Sequence, residues 1–239
     1  MQAVILAGGK GTRLRPYTTV LPKPLMPVGD YPILEIILRQ LKHAGVTEVI
    51  LTVGYLGQIL QAFFQDGARL GLHITYSFED KPLGTAGPIA LVLDQLQDNF
   101  LIMNGDLMTT MNYSNLYQFH QEKQAAATIG LFQREVKIDF GVIETDQEGK
   151  LSKYIEKPRY QYSVSMGVNV LNKAQVIPYL IPGEYLDVPD LMMKLRNDGR
   201  PVYCYQEPCR WLDIGRLDDY QIATELFEAH RAEFLPGEE

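Results

Sequence analysis

Residues 6 to 25 read LAGGKGTRLRPYTTVLPKPL. Gly8, Gly9 and Gly11 follow a short apolar run, and Lys10, Arg13, Arg15 and Lys23 crowd in around and after them. Glycine lets a backbone come close to a polyphosphate and point its N–H groups inward. Lys23 lies between Pro22 and Pro24. Restricted backbone on both sides aims its ammonium at one point. Spacing excludes two well-known phosphate loops. A P-loop needs G-x-x-x-x-G-K-[ST], and its first glycine would fall on Val4. A dinucleotide fingerprint needs G-x-G-x-x-G, but Gly9-Lys10-Gly11-Thr12-Arg13 runs into Leu14. A nicotinamide-dependent dehydrogenase is excluded with it.

Two carboxylates are the next candidates. Asp106, in Asn104-Gly105-Asp106, directly follows an apolar run. In an open α/β sheet ligands sit outside the carboxyl ends of the strands, which puts Asp106 at the mouth of a site. Asp213 lies in Trp211-Leu212-Asp213-Ile214-Gly215. Two carboxylates converging on a triphosphate are hard oxygen ligands of the kind Mg2+ takes, with water and phosphate filling its other positions. Leu83-Gly84-Thr85-Ala86-Gly87 precedes a predicted helix, and Thr85 is a candidate N-cap. A helix N-terminus with glycines can also hold an anion or a base edge. His43, His73, His120 and His230 are scattered and read as structural or surface residues.

The elements that must carry these residues alternate. Apolar runs predict strands over 2–7, 48–53, 73–78, 100–104 and 126–132. Helical spacing predicts helices over 32–44, 58–65, 86–97 and 113–124. The second half is less regular, with strands over 141–145 and 150–156 about a turn at 146–149. Further strands fall over 163–171 and 202–205, and a long helix over 217–234. This rhythm implies an α/β fold: a Rossmann-like, open, mixed but mostly parallel sheet with helices on both faces. With no Ser/Gly-rich linker or repeat, residues 1–239 read as a single domain, its N-terminal half gripping a nucleotide and its C-terminal half walling a second substrate.

The bulk properties narrow the partners. The net charge of -7 argues against nucleic-acid binding but not against small anions held by focused cations. Two cysteines, Cys204 and Cys209, are too few for a disulfide scaffold or a four-cysteine zinc site. No stretch approaches the ~20 apolar residues of a membrane span. A cytoplasmic protein is the expectation.

GGKGTRLRPYTT followed by PKPL resembles the signature of the sugar-1-phosphate nucleotidyltransferases, with further matches to about Tyr220. PLGTAGP is similar to the mannose-1-phosphate guanylyltransferases within that family. The resemblance implies a transfer from a nucleoside triphosphate to a sugar 1-phosphate, giving a nucleotide sugar and pyrophosphate. It implies a nucleotide site made of Leu6, Ala7, Gly8, Gly9, Gly11, Thr12, Arg13, Lys23, Glu79, Gly84 and Thr85. It implies catalytic roles for Arg13, Lys23, Asp106 and Lys157, and a Mg2+ on Asp106 and Asp213. Asn104, Gly141, Glu156, Lys157, Gly167 and Asn169 would contact the sugar phosphate. Ser165 and Asn169 depart from the family's usual N-A-G-[IVF]-[YF], which leaves the sugar open. Glu79 falls where relatives face the base, and a carboxylate accepts two hydrogen bonds and donates none. Guanine offers adjacent donors, so GTP is favoured, with a mannose- or heptose-like sugar. A UTP-, CTP- or dTTP-dependent enzyme for another sugar or cyclitol phosphate, and a non-catalytic sensor of such ligands, are the alternatives. A homo-oligomer is left open.

Overall fold

The computed structural model describes residues 1–215 and 217–237. In chain order the elements are β1 (Gln2–Ala7), the short β2 (Pro27–Val28) and β3 (Tyr31–Pro32), α1 (Ile33–His43), β4 (Glu48–Val53), α2 (Gly57–Phe64) and β5 (His73–Phe78). There follow β6 (Asn99–Asn104), β7 (Leu107–Thr109), α3 (Tyr113–Glu122), β8 (Ala127–Lys137), β9 (Val142–Thr145), β10 (Leu151–Ile155) and β11 (Arg159–Asn172). The last are α4 (Lys173–Val176), α5 (Val188–Asn197), β12 (Val202–Gln206), β13 (Trp211–Asp213), α6 (Leu217–Ala229) and α7 (Arg231–Phe234).

Seven strands form one sheet in the order β12-β8-β11-β6-β1-β4-β5. The pairs β12/β8, β6/β1, β1/β4 and β4/β5 are parallel, and β11 runs antiparallel to both neighbours. The expected mostly parallel sheet is therefore present. Side chains alternate across its two faces. Ala3, Ile5 and Ala7 of β1 join Leu101 and Met103 of β6 in a core covered by α1, α2, α3 and the C-terminal helices. Val4, Phe100 and Ile102 face the other way, against Ile89 and the α5 residues Leu191, Met192 and Leu195. A central strand buried on both faces must read as one apolar run, which is why VILA after Gln2-Ala3 was legible.

Three predicted elements differ. The segment predicted as a helix over 86–97 forms two 3-10 turns, Gly87–Leu91 and Leu93–Gln95. The Ala86 and Gly87 N–H groups both donate to Leu186 O, and Val92 leaves helical geometry at φ -125°. The helix predicted over 217–234 breaks at His230, φ -132°. The break turns Phe234 back into the core, its ring 6.0 Å from that of Phe227. The strand predicted over 163–171 is the C-terminal part of the 14-residue β11, whose register shifts between Ser165 and Asn169. The helix α5 is an addition, with Pro189 in its first turn, a position where proline is at home.

Candidate active site

The glycine segment leaves the end of the central strand. Gly11 takes φ +57°, caps the turn Thr12–Leu14 and accepts a hydrogen bond from Thr18 Oγ1 at 2.8 Å. Gly8 has a different constraint: a side chain there would place its Cβ 2.5 Å from Glu79 Oε1. Lys23 opens the turn Lys23–Leu25 and is buried. Its Nζ makes an ion pair with Asp106 Oδ2. Asp106 is fixed by the end of β6, where Gly105 N donates to Leu6 O at 2.9 Å. The two short strands β7 and β13 pair so that Asp213 lies opposite Leu107, and Ile214 N donates to Asp106 O. Burial and then the Asp106 charge push the Asp213 carboxyl up, while Lys23 and Arg13 pull it back. The Arg13 guanidinium lies over Gly215, whose missing side chain leaves it room. Four charged groups from three distant parts of the chain thus meet at the end of β1.

Three hollows open from this point. The first, about 250 Å³, holds Ala7, Gly9, Gly11, Thr12, Arg13, Lys23 and Asp106 in its walls. The second, about 380 Å³, is lined by Gly8, Gly9, Glu79, Gly84, Thr85, Asn104 and Asp106. Glu79 Oε2 accepts from Leu83 N at 3.1 Å, and burial raises its carboxyl despite that bond. The third, about 340 Å³, is lined by Asn104, Ser165, Gly167, Asn169, Thr85 and Asp187, among others. Leu6 lines all three, so they form one cleft. Gly167 takes φ +74° at the β11 irregularity, where a side chain would meet Asn104 Nδ2 at 2.6 Å. Asn169 is buried and its Oδ1 has no hydrogen-bond partner, the one such side-chain atom among the described residues. An unpaired buried acceptor costs about 1–3 kcal/mol.

Thr85 differs from its expected role. It does not cap the turn that follows it. Its Oγ1 accepts from Val188 N at 2.8 Å, which caps α5, and donates to Asp187 Oδ1 at 3.1 Å. Thr85 N also donates to Asp187 Oδ1, and Tyr185 Oη donates to Oδ2. The Tyr185 hydroxyl, foremost, holds the Asp187 carboxyl below its ordinary range. Asp187 lines the second and third hollows, and sequence reasoning missed it. Its one local signal is an acidic residue just before Val188-Pro189, a position that favours a helix cap. Gly141, Glu156 and Lys157 line none of the three hollows. Gly141 packs on the Tyr154 ring beside the β9–β10 hairpin, and Glu156 and Lys157 are exposed, the latter at φ +45°. Among the described residues no helix is long and apolar enough to cross a membrane.

Known proteins resemble this chain in sequence and in fold. The family model described as nucleotidyl transferase matches residues 2–230. The chain is 34 % identical to a UTP–glucose-1-phosphate uridylyltransferase of Synechocystis sp., over 92 % of this chain and 61 % of that one. It is 35 % identical to a mannose-1-phosphate guanylyltransferase of Mycobacterium tuberculosis, over 92 % of this chain and 62 % of that protein. The chain thus spans just under two thirds of the length of these curated relatives. Among solved structures, it is similar to a Bacillus anthracis protein described as a candidate glucose-1-phosphate thymidylyltransferase in complex with a sucrose. There the TM-score is 0.76 and the identity 26 %, covering 95 % of this chain and 94 % of that one.

Proposed function

The chain belongs to the nucleotidyl transferase family, and from that premise we propose that it transfers a nucleotidyl group from a nucleoside triphosphate to a sugar 1-phosphate, releasing pyrophosphate. The observation that carries this is the meeting of Arg13, Lys23, Asp106 and Asp213 at the end of the glycine segment. A sugar-phosphate oxygen attacks the α-phosphorus in line. It is already anionic at neutral pH, so no general base is needed and the work is positioning and charge neutralisation. Lys23, buried and held on Asp106, neutralises the α-phosphate. Arg13 is exposed beside Gly215 and covers the leaving pyrophosphate. Asp106 and Asp213, close enough for the charge of one to raise the carboxyl of the other, are hard oxygen donors that would hold a Mg2+. When bound, the ion supplies charge neutralisation to both substrates.

The second hollow takes the nucleotide base, with Glu79 Oε1 free of the Leu83 bond and turned toward Gly8. An acceptor in that place favours guanine, hence GTP. The third hollow takes the sugar, with mannose- or heptose-like rings favoured. The relatives' names span uridylyl and guanylyl transfer to glucose and mannose 1-phosphates, so base and sugar are the finer part of the proposal. Gly141, Glu156 and Lys157 enter it on family resemblance. So do one working domain, which includes residues 216, 238 and 239 outside the described structure, and a cytoplasmic location.

The test is a matrix of four nucleoside triphosphates against several sugar 1-phosphates with Mg2+, read as pyrophosphate release. Turnover with at least one pair is expected. Silence across the panel despite tight nucleotide binding would overturn the proposal in favour of a sensor.

A further inference from the structure

Residues 132–164 run out from the central sheet as an arm. Strand β12 pairs with β8 only as far as Leu131, and β6 pairs with β11 only from Val168 on. Between these points β8 and β11 pair with each other alone, as a ribbon from Phe132–Val164 to Lys137–Arg159. Strands β9 and β10 form a separate two-stranded sheet in the same stretch of chain. Pro158 is the one buried residue between 133 and 165. A two-stranded ribbon has little stability in water by itself and needs an apolar face covered by something else.

The arm has such a face. Residues opposite each other in a ladder share a side of the sheet, and alternation gives each side every second residue. Tyr160 opposes Val136, and Tyr162 follows on the same side. The reverse side is polar and satisfies itself: Glu135 accepts from Arg159 and Gln161, and Gln133 donates to Ser163. In the hairpin, Ile143 opposes Tyr154 and Thr145 opposes Leu151, which puts Ile143, Leu151 and Tyr154 on one side. Val136, Phe140, Ile143, Leu151, Tyr154 and Tyr162 are each between 40 % and 77 % exposed. Together they offer on the order of 600 Å² of mostly apolar surface, the upper end of what a monomer leaves in water. With a polar rim, that approaches the ~800 Å² per partner of a standard stable interface.

Charge indicates the occupant. Between residues 132 and 164, six Lys and Arg stand against six Asp and Glu, so the arm is neutral in a chain of net charge -7. A membrane surface or a nucleic acid would call for a surplus of cations that the arm lacks. Two copies of the chain repel through their bodies but not through their arms, so the arms are where they can meet. A neutral, apolar face is complementary to its own copy, which is what a twofold interface requires. We propose that the arm is a dimerisation surface, with Val136, Ile143, Leu151, Tyr154 and Tyr162 packing on the same residues of a second copy of this chain. The proposal does not depend on which nucleotide or sugar the cleft takes.

The experiment is sedimentation equilibrium of the full chain from about 1 to 100 μM, joined to amide hydrogen exchange over residues 132–164. Wild type is expected to reach twice its 27.1 kDa within that range and to hold it at high salt, because the contact is apolar. Exchange over the arm is expected to slow as protein concentration rises. The double variant Ile143→Asp with Leu151→Asp is expected to stay at 27.1 kDa throughout, with unchanged far-UV circular dichroism and no concentration dependence in exchange. Ile222→Asp, at a residue 51 % exposed on α6, is the control and is expected to leave the dimer intact. A wild type that is monomeric at every concentration overturns the proposal, and so does a dimer that survives the double substitution or that Ile222→Asp also breaks. A monomer whose arm becomes protected only on adding nucleoside triphosphate and sugar 1-phosphate, or only with a different protein, overturns it as well. If the double variant fails to fold, the wild-type exchange decides: protection that grows with concentration across the arm supports the interface, and its absence overturns it.

Discussion

Replacing Lys23 by Met separates catalysis from stability. The Lys23 side chain is 8 % exposed and its partner, the Asp106 side chain, 29 %. Methionine keeps an apolar stem beside Gly11, where a Lys23 Cβ already lies 3.2 Å from the place of a glycine side chain, and removes only the charge. Asp106 keeps contact with water, so the folded state loses a part-exposed ion pair worth about 1 kcal/mol. For a chain of this size that lowers Tm by roughly 2–4 °C. The protein stays folded at 25 °C. The reaction loses more. A preorganised donor aimed at developing charge is worth ~10²–10³ in kcat, or about 2.7–4 kcal/mol. Pyrophosphate release under saturating substrates, beside a melting curve, reads both numbers. A kcat within about threefold of wild type refutes the role given to Lys23, whatever happens to Tm.

Three more outcomes follow from particular contacts. Gly84 takes φ +80° with the place of a Cβ 2.5 Å from Leu186 O, so Gly84→Ala should cost about 2 kcal/mol or more in chemical denaturation; a loss below ~0.5 kcal/mol contradicts the geometry. Glu79→Gln exchanges one acceptor for a donor beside Gly8, and the kcat/KM preference for GTP over the other triphosphates should fall by about 10-fold; an unchanged ratio removes Glu79 from base selection. His120 is buried against Thr128 and Asn99, and burial pulls its pKa down to about 4. The unfolded chain, near 6.5, therefore binds the proton first, and its stability contribution is full above about pH 6.5 and lost as pH falls toward 4. Wild type should lose about 2 kcal/mol between pH 7 and pH 5 that His120→Gln does not, read from urea midpoints.

How much of this was legible depended on the reach of each signal. The apolar runs of β1, β4, β5 and β6 lie between glycines or polar residues, and a strand buried on both faces needs nothing else. The segment over 86–97 has helix-forming residues, but its geometry is set by Leu186, a hundred residues on. Lys23 and Asp106 could each be suspected from their neighbours; their ion pair could not. Asp213 depends on three-residue strands too short to show a period. Asp187 was invisible because its meaning is its bond to Thr85, far away in the chain. Residues 156 and 157 show the opposite case: a motif recognised in sequence that lines none of the three hollows at the end of β1.

The order of the strands has a consequence for how the chain comes into being. The four neighbouring strands β6, β1, β4 and β5 are all made by Asn104, and together they carry the glycine segment and Glu79. Between them and β8 lies the slot that only β11 can fill, and β11 ends at Asn172. In synthesis the proposed nucleotide contacts from Leu6 to Thr85 are made long before Leu186 and Asp187, which hold the Thr85 segment in place, and before Asp213, which comes to lie beside Asp106. The hollow proposed for the base is thus walled from both ends of the chain, and it closes only once Tyr185 and Asp187 have been made.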